Sequence, residues 1–330
     1  MRGRCHFAPR GGAGALSAGI KTAFVLGAGL GTRLMPLTGV LPKPLVPVFN
    51  KPLITFAFDH LIASGVERFV VNTHHLPGAY GKVLCEKKGR AEYRGCPTHF
   101  RHEPVLLETG GGIKNAADLI GDSDFFVYNG DVLAAFPLEP LFQAHTGSGN
   151  IATLALRSSG GERRVQFDAS SGLVTDLRGI IGGRTEPSFL FTGVSIFSPE
   201  IYDCIQQGEV ISIVPVLADL IRKGARVGGV VIDEGGWFDI GTPQAYLDVH
   251  REISAGGVDF GWLPEDWIQR VGPGAAVADS VILEGCSTIG SDAVVGENAV
   301  LINTVVWSGS NLPAGVRLEN SIIAPGFRVP

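Results

Sequence analysis

The sequence has little charge and few cysteines, and it has no long apolar run. Only 18% of its 330 residues are charged, and 32 acidic against 27 basic side chains argue against general nucleic-acid binding. The five cysteines are odd in number and never form C-x-x-C. They therefore argue against a disulfide framework or a zinc site, and predict reduced thiols in a cytoplasmic protein. No apolar segment approaches the length of a membrane span, so no membrane association is expected.

The sequence also lacks the signatures of several enzyme classes. G-x-S-x-G and H-E-x-x-H, which mark serine hydrolases and zinc proteases, are absent. The dinucleotide fingerprint G-x-G-x-x-G is broken, because Thr32 stands where its third glycine belongs. A P-loop requires G-K-[ST], and this chain has Gly31-Thr32-Arg33 instead.

What the sequence does contain is a glycine-rich stretch, residues 27–34, directly after a short apolar run that predicts a buried strand. Gly27, Gly29 and Gly31 leave little side-chain bulk, so backbone N–H groups can close around an anion. Arg33 adds a guanidinium suited to phosphate oxygens. Lys43 lies between two prolines, which predict a stiff, extended segment. The pattern predicts a polyphosphate site, and the alternative is an ordinary tight turn between a strand and a helix.

Predicted strands and helices alternate up to residue 145, which indicates a Rossmann-like, mostly parallel α/β sheet with helices on both faces. Strands are expected at 23–26, 66–73, 98–102 and 124–128, and helices at 52–64, 80–88, 108–119 and 138–145. A second glycine loop, 109–112, opens the third helix and offers a place for an anion or a flat ring. Gly27, Gly110 and Asp131 fall at strand ends, where such sheets bind ligands. Residues 151–181 predict an antiparallel lid.

Beyond residue 270 apolar residues recur every six positions. The series is Val271, Val277, Leu283, Ile289, Val295, Leu301 and Trp307, and after a one-residue slip Leu312, Leu318 and Ala324. This hexapeptide period predicts a short left-handed parallel β-helix with one inward apolar residue per face. Some hexapeptide proteins are acyltransferases that use a histidine, but residues 271–330 contain no His and no Lys, which favours a structural role. An exposed end of the stack favours a homo-oligomer.

Two aspartates are candidates for a metal site. Asp131 ends a predicted buried strand, and Asp239 follows an aromatic pair and precedes a turn. Each alone is more often a cap or a turn residue. Together at one sheet edge they suit Mg²⁺, which proteins hold with one or two carboxylates plus substrate phosphates.

These motifs, in this order, resemble those of the sugar-1-phosphate nucleotidyltransferases. The matching segments are 27–34, Pro42-Lys43-Pro44, 109–112, Asn129-Gly130-Asp131 and 237–241. The resemblance covers about residues 21–250, and a hexapeptide tail is a common attachment in this family. It implies Mg²⁺-dependent transfer of a nucleotidyl group from a nucleoside triphosphate to a sugar 1-phosphate, with pyrophosphate as the other product.

The resemblance also implies roles for individual residues. Arg33, Lys43, Asp131 and Asp239 would be catalytic, and the two aspartates would bind Mg²⁺. The implied nucleotide-binding residues are Leu26, Gly27, Ala28, Gly29, Gly31, Thr32, Arg33, Thr109, Gly110 and Gly111. The implied sugar-phosphate residues are Asn129, Thr192, Gly193 and Arg178, the last because it stands near the place of the family's missing Glu-Lys-Pro motif.

The resemblance leaves the substrates open. Residues 107–113, with Phe191-Thr192-Gly193, look most like the N-acetylmuramate-1-phosphate uridylyltransferases, which usually lack a hexapeptide tail. The tail looks more like that of mannose-1-phosphate guanylyltransferases, whose base loop typically reads Leu-Gly-Thr-Ala-Gly. We prefer UTP over GTP. The alternative of another class is a non-catalytic regulatory or scaffolding subunit, although such proteins typically lose the phosphate-binding Arg and Lys or a metal Asp.

The predicted organisation has four parts. They are a disordered extension at 1–20, a nucleotidyltransferase domain at 21–254, a linker at 255–270 and the β-helix at 271–330.

Overall fold

A computed structural model describes residues 19–84, 91–182 and 188–329. The predicted N-terminal extension lies outside the described residues up to residue 18, as does the predicted helix 80–88 beyond residue 84. Two compact units are present. Within the described residues, unit 1 comprises 19–29, 60–84, 91–130, 136–182 and 188–237, and unit 2 comprises 30–59, 131–135 and 238–329. In these described ranges, no helix has the length and apolar character needed to span a bilayer.

The secondary-structure elements up to residue 254 are numbered in chain order. The strands are β1 (Thr22–Leu26), β2 (Pro47–Val48), β3 (Lys51–Pro52), β4 (Arg68–Thr73), β5 (Ala91–Tyr93), β6 (Cys96–His102), β7 (Phe125–Asn129), β8 (Val132–Ala134), β9 (Ala152–Arg157), β10 (Val165–Asp168), β11 (Leu173–Leu177), β12 (Ser188–Phe197), β13 (Val227–Val231) and β14 (Trp237–Asp239). The α-helices are α1 (Leu53–Ala63), α2 (Gly78–Val83), α3 (Glu108–Asn115), α4 (Ala117–Ile120), α5 (Glu139–His145), α6 (Ile213–Arg222) and α7 (Pro243–Ser254). Short 3₁₀ helices cover Thr32–Leu34, Leu37–Gly39, Lys43–Leu45 and Pro199–Cys204.

Unit 1 is built on a ten-stranded sheet in the order β10-β11-β13-β9-β12-β7-β1-β4-β6-β5. β7, β1, β4 and β6 are parallel, as the alternation of strands and helices predicts. β12 runs antiparallel to β7 and β9, β5 is antiparallel to β6, and β10 is antiparallel to both β11 and β12. The carboxyl ends of the four parallel strands share one edge, so the residues that follow these strands are brought together there.

The predicted antiparallel lid at residues 151–181 is wrong, because these strands belong to the main sheet. β9 pairs with both β12 and β13 in the interior of the sheet. Every side chain of β9 is buried. Both of its faces are covered, although one of them carries Thr153 and Arg157, and this burial suits an interior strand better than a cover exposed to solvent.

The tail of unit 2 forms stacked sets of short parallel strands, in agreement with the six-residue period. The strands are β15 (Ala276–Val277), β16 (Ile282–Glu284), β17 (Thr288–Ile289), β18 (Val294–Val295), β19 (Val300–Ile302), β20 (Val305–Val306), β21 (Asn311–Leu312), β22 (Arg317–Glu319), β23 (Ile322–Ala324) and β24 (Phe327–Val329). β15, β18 and β21 stack on one face, β16, β19 and β22 on a second, and β17, β20 and β23 on a third. Val271, at the start of the series, is 43% exposed and forms an isolated parallel bridge to Ile289 of β17.

The inward positions of the last coils differ from the prediction. Val306 and Ile323 fill the interior of the coil in place of Trp307 and Ala324. The spacing shortens to five residues twice, from Leu301 to Val306 and from Leu318 to Ile323, whereas the apolar series suggests a single slip after Trp307. Trp307 misled the pattern because it is itself apolar. Trp307 packs in a different core, which includes residues of α7.

His250 of α7 joins that helix to the hairpin between β2 and β3. Its Nδ1–H donates to the Tyr246 carbonyl at 2.8 Å, and its Nε2 accepts from the Phe49 N–H at 3.3 Å. This pair of bonds requires a neutral ring, and burial lowers the pKa of His250 to about 4. Phe49 has a φ of 47°, so the bond holds a left-handed backbone in place. Trp307 donates from Nε1 to the Tyr246 hydroxyl at 3.1 Å, which ties the tail to α7.

Candidate functional site

The first glycine loop leaves β1 at the edge where the parallel strands end. Leu26 lies opposite Asn72 of β4 and Asn129 of β7. The Gly27 N–H donates to Asn72 Oδ1 at 2.8 Å, and the Gly27 carbonyl accepts from the Tyr80 hydroxyl at 2.8 Å. A Cβ at residue 27 would lie 2.6 Å from the Asn72 carbonyl oxygen. Only glycine therefore fits at the start of the loop.

The rest of the loop is open to solvent. Ala28 is buried, but Gly29, Thr32 and Arg33 are exposed. A Cβ at Gly29 would meet nothing within 4 Å, whereas Gly31 has a φ of 62° and turns the chain into the 3₁₀ helix at Thr32–Leu34. This arrangement leaves room for a ligand at the loop, as the sequence predicts for a polyphosphate.

Asn72 and Glu103 connect the two glycine loops, a link that the sequence analysis missed. Asn72 donates from Nδ2 to Glu103 Oε1 at 2.9 Å, and Glu103 Oε2 accepts from the Leu107 N–H at 3.0 Å. The two side chains are 1% and 0% exposed. A Cβ at Gly112 would lie 2.9 Å from an atom of each. Their position in the sequence could have identified them, because both residues lie at the carboxyl ends of parallel strands.

The second glycine loop forms the first turn of α3, and two of its amides are already engaged. The Gly110 and Gly111 N–H groups donate to the Ile211 carbonyl at 2.9 and 3.1 Å. A Cβ at Gly111 would lie 2.2 Å from the Glu209 carbonyl oxygen. Anion binding by these two amides is therefore excluded in this structure, and the glycines contribute close packing. Thr109 is half-buried beside them.

Three of the predicted sugar-phosphate residues lie together on β7 and β12. Gly193 has a φ of 81°, and a Cβ there would lie 2.6 Å from Asn129 Nδ2. Thr192 is buried, and its hydroxyl donates to the Ala155 carbonyl at 2.9 Å. The Thr192 backbone carbonyl accepts from Trp237 Nε1 at 2.9 Å. Thr192 therefore has a structural role in this arrangement, while Asn129 is half-buried at the end of β7.

Arg178, the fourth predicted sugar-phosphate residue, follows β11. It has a φ of 56°, is exposed, and its N–H donates to the Arg164 carbonyl at 2.7 Å in the β10–β11 hairpin. β11 pairs with β10, and β10 also pairs with β12 through Gln166 and Ser188. Arg178 lines a polar cavity with other residues of that hairpin.

Four charged residues meet in unit 2. Lys43 donates from Nζ to Asp131 Oδ2 at 2.8 Å and to Asp239 Oδ1 at 3.1 Å. Arg33 Nη2 lies 3.5 Å from Asp239 Oδ2. The Lys43 side chain is 6% exposed, whereas those of Asp131 and Asp239 are 37% and 41% exposed. A Cβ at Gly241 would lie 3.0 Å from the Arg33 guanidinium, so glycine leaves space for that side chain.

Local structure explains how these residues meet. Asp131 directly precedes β8, Asp239 ends β14, and β8 pairs with β14. The extended geometry predicted for Lys43 is wrong, because Lys43–Leu45 is a 3₁₀ helix in which the Leu45 N–H donates to the Pro42 carbonyl at 2.8 Å. A proline near the start of a helix costs it no hydrogen bond, because the first N–H groups have no partner in the helix.

Comparison with known proteins agrees with this geometry. The family described as Nucleotidyl transferase matches residues 22–256, which is more than half of the chain. The chain belongs to the nucleotidyl transferase family. The prediction of a nucleotidyltransferase enzyme is thereby confirmed.

Relatives of this nucleotidyl transferase carry different substrate names. A mannose-1-phosphate guanylyltransferase of Mycobacterium tuberculosis is 31% identical, over 90% of this chain and 82% of its own. An N-acetylmuramate alpha-1-phosphate uridylyltransferase of Caulobacter vibrioides is 36% identical, over 71% of this chain and 97% of its own. The inositol-1-phosphate CTP transferase of T. maritima has the same fold, with a TM-score of 0.58 and 21% identity, over 70% of this chain and 93% of its own.

Proposed function

We propose that this nucleotidyl transferase transfers a nucleotidyl group from a nucleoside triphosphate to a sugar 1-phosphate and releases pyrophosphate. The observation that carries the proposal is the cluster in which Lys43 lies between Asp131 and Asp239. Arg33 lies beside Asp239 in the same cluster. Its two cations suit the phosphates of a nucleotide, and its two carboxylates suit a divalent cation.

Mg²⁺ is the proposed cofactor, and Asp131 and Asp239 are its proposed ligands. One oxygen of each carboxylate contacts the same Lys43 ammonium, so both point towards one place, and both side chains are partly exposed. In the part of the chain that the structure describes, no three His, Cys, Asp or Glu form a complete metal site. Two carboxylates fit Mg²⁺, which takes its remaining ligands from substrate phosphates and water. When bound, it would neutralise charge on the phosphates.

The proposed reaction needs no covalent enzyme intermediate. A phosphate oxygen of the sugar 1-phosphate attacks the α-phosphorus of the triphosphate. The bond from that phosphorus to the bridging oxygen breaks, and pyrophosphate leaves with the electron pair. The attacking phosphate is already largely ionised near pH 7, because its second pKa is about 6. Arg33 and Lys43 contribute by orienting the phosphates and by balancing their charge.

The glycine loops are the proposed nucleotide-binding segments. Residues 26–32 would hold the nucleotide through the open part of the first loop, and residues 109–111 would contact the base. Asn129 and Gly193 would contact the sugar phosphate, with Thr192 holding the strand in place. The bonds from Asn72 and Tyr80 to Gly27 support this assignment, because they fix the start of the loop.

UTP and N-acetylmuramate 1-phosphate are the proposed substrates. Residues 107–113 and the 36% identity to a uridylyltransferase of that name support them. GTP with mannose 1-phosphate is the alternative, supported by a guanylyltransferase that aligns over 90% of this chain. A non-catalytic regulatory or scaffolding subunit is disfavoured, because the chain has all four of the charged residues Arg33, Lys43, Asp131 and Asp239. A cytoplasmic location and self-association stay predictions.

Pyrophosphate release tests the proposal. The purified chain is incubated with Mg²⁺, each of the four nucleoside triphosphates, and N-acetylmuramate 1-phosphate or mannose 1-phosphate. Release with UTP and the acidic sugar, abolished in Asp131→Ala and by a chelator, supports the proposal. Release only with GTP and mannose 1-phosphate reverses the substrate assignment, and no release from folded protein with either sugar refutes the proposed transfer to these two sugar phosphates.

A further inference from the structure

The ammonium group of Lys43 occupies the point on which the two candidate metal ligands converge. Its Nζ lies 2.8 Å from Asp131 Oδ2 and 3.1 Å from Asp239 Oδ1, and the Lys43 side chain is only 6% exposed. Magnesium binds carboxylate oxygens at roughly 2.0–2.1 Å, inside the contact distance of the ammonium. A metal ion that used these two oxygens would take the position of the ammonium, so the two cations cannot bind there together.

The second oxygen of Asp239 offers no free alternative. Arg33 Nη2 lies 3.5 Å from Asp239 Oδ2, so each oxygen of this carboxylate faces a cation. A metal ion held by both aspartates must therefore displace Lys43 or Arg33. Lys43 is the stronger obstacle, because it contacts both carboxylates and is buried, whereas the Arg33 side chain is 68% exposed.

The charges of this cluster are balanced. Lys43 and Arg33 supply two positive charges, and Asp131 and Asp239 supply two negative charges. A free divalent cation would add two positive charges and would leave the buried ammonium without a partner, which is strongly unfavourable. A nucleoside triphosphate reverses this balance, because its phosphates carry several negative charges and give both cations new partners.

We infer that Lys43 is a built-in counter-ion that keeps free divalent cations off Asp131 and Asp239 and releases these carboxylates when nucleotide phosphates bind. Metal binding and nucleotide binding are then coupled, and each strengthens the other by the same factor. The chain thus takes up its metal together with the nucleotide rather than before it. This inference rests on the proposed function, because it takes the two aspartates as metal ligands.

Binding of Mn²⁺ to the full chain without nucleotide tests the inference. Mn²⁺ accepts the same oxygen ligands as Mg²⁺, and its electron paramagnetic resonance signal distinguishes free from bound ion. We expect weak binding to the native chain and at least about tenfold tighter binding to Lys43→Met, a usual size for such coupling. Lys43→Arg keeps the charge and should bind Mn²⁺ as weakly as the native chain. Adding Asp131→Asn to Lys43→Met should remove the gain, because it removes one of the two carboxylates.

Lys21→Met is the matched control, because Lys21 also pairs with a carboxylate, that of Glu67, but its side chain is 51% exposed. Its Mn²⁺ affinity should equal that of the native chain. Circular dichroism checks that each variant is folded, and Lys43→Gln takes the place of Lys43→Met if the latter does not fold.

The outcomes separate this inference from the proposed function. Equal Mn²⁺ affinities of the native chain and the uncharged Lys43 variant overturn the inference even if pyrophosphate release is normal. A gain in Lys43→Arg as large as that in Lys43→Met also overturns it, because the charge would then have no effect. A gain that Asp131→Asn removes supports the inference even if neither sugar phosphate accepts a nucleotidyl group.

Discussion

Exchanging the donor and acceptor groups of Asn72 and Glu103 tests whether they hold the two glycine loops together. Glu103→Gln places an amide donor against either Asn72 Nδ2 or the Leu107 N–H, where an acceptor is needed. Asn72→Asp places two carboxylates in contact. The double variant restores every bond with the same net charge. The new aspartate accepts from Gly27 and from the new glutamine, and the glutamine oxygen accepts from Leu107.

The burial of the pair sets the size of the effect. Both side chains are at most 1% exposed, so water cannot satisfy a mismatched group. A buried polar group without a partner costs about 1–3 kcal/mol, so each single variant should lose about 2 kcal/mol of unfolding free energy. The double variant should lie within about 1 kcal/mol of the native chain, which gives a coupling energy of about 3 kcal/mol.

Urea denaturation of the four proteins measures this coupling directly. The KM for the nucleoside triphosphate should rise in each single variant and return in the double variant. The KM for the sugar 1-phosphate should change little, because the network contacts the glycine loops through Gly27 and Leu107. Additive losses in the double variant would refute the assigned donors and acceptors. Recovered stability without a recovered KM would refute the role of the loops in nucleotide binding.

Three other substitutions test separate parts of the structure. Gly31→Ala should lose about 2 kcal/mol in urea denaturation, because its φ is 62° and the new methyl would lie 2.7 Å from a threonine carbon. Gly29→Ala is the control and should leave the unfolding free energy unchanged, because a Cβ at Gly29 meets nothing within 4 Å. Equal losses in the two variants contradict the reasoning. Lys43→Met should lower kcat/KM about a hundredfold or more, as expected when a charged group at the phosphates is lost. The exposed Lys21→Met is the control, and retained activity in Lys43→Met argues against its role. Burial lowers the pKa of His250 to about 4 from 6.5. The contribution of neutral His250 to the unfolding free energy is therefore complete above pH 6.5, and it falls by roughly 3 kcal/mol as the pH drops towards 4. In His250→Asn the urea midpoint should depend less on pH between pH 7 and pH 5. An unchanged pH dependence contradicts the role given to His250.

Local patterns predicted the elements well where burial and periodicity agree. The apolar run before Gly27 is β1, and the six-residue period marks coils in which Ile289, Val295 and Leu301 are buried. The same logic failed at Trp307, because the pattern cannot tell an apolar residue inside a coil from one packed on its outside. It also failed at residues 151–181, where a run of strands was read as a lid although its first strand is buried on both faces.

The candidate site was predicted as residues but not as an arrangement. Sequence motifs identified Lys43, Asp131 and Asp239, since each lies in a recognisable local segment. They did not reveal that one buried ammonium contacts both carboxylates. They also could not show that the Ile211 carbonyl occupies the amides of the second glycine loop, because that contact joins segments about a hundred residues apart.

The sequence by itself determined the alternation of strands and helices, the glycine positions and the hexapeptide period, because these depend on neighbours a few residues away. The tertiary structure decided which polar groups are paired. Asn72 meets Glu103 because β4 lies beside β6, and Asp131 meets Asp239 where β8 pairs with β14. Hydrogen-bond satisfaction depends on three-dimensional neighbours, and local sequence does not specify them.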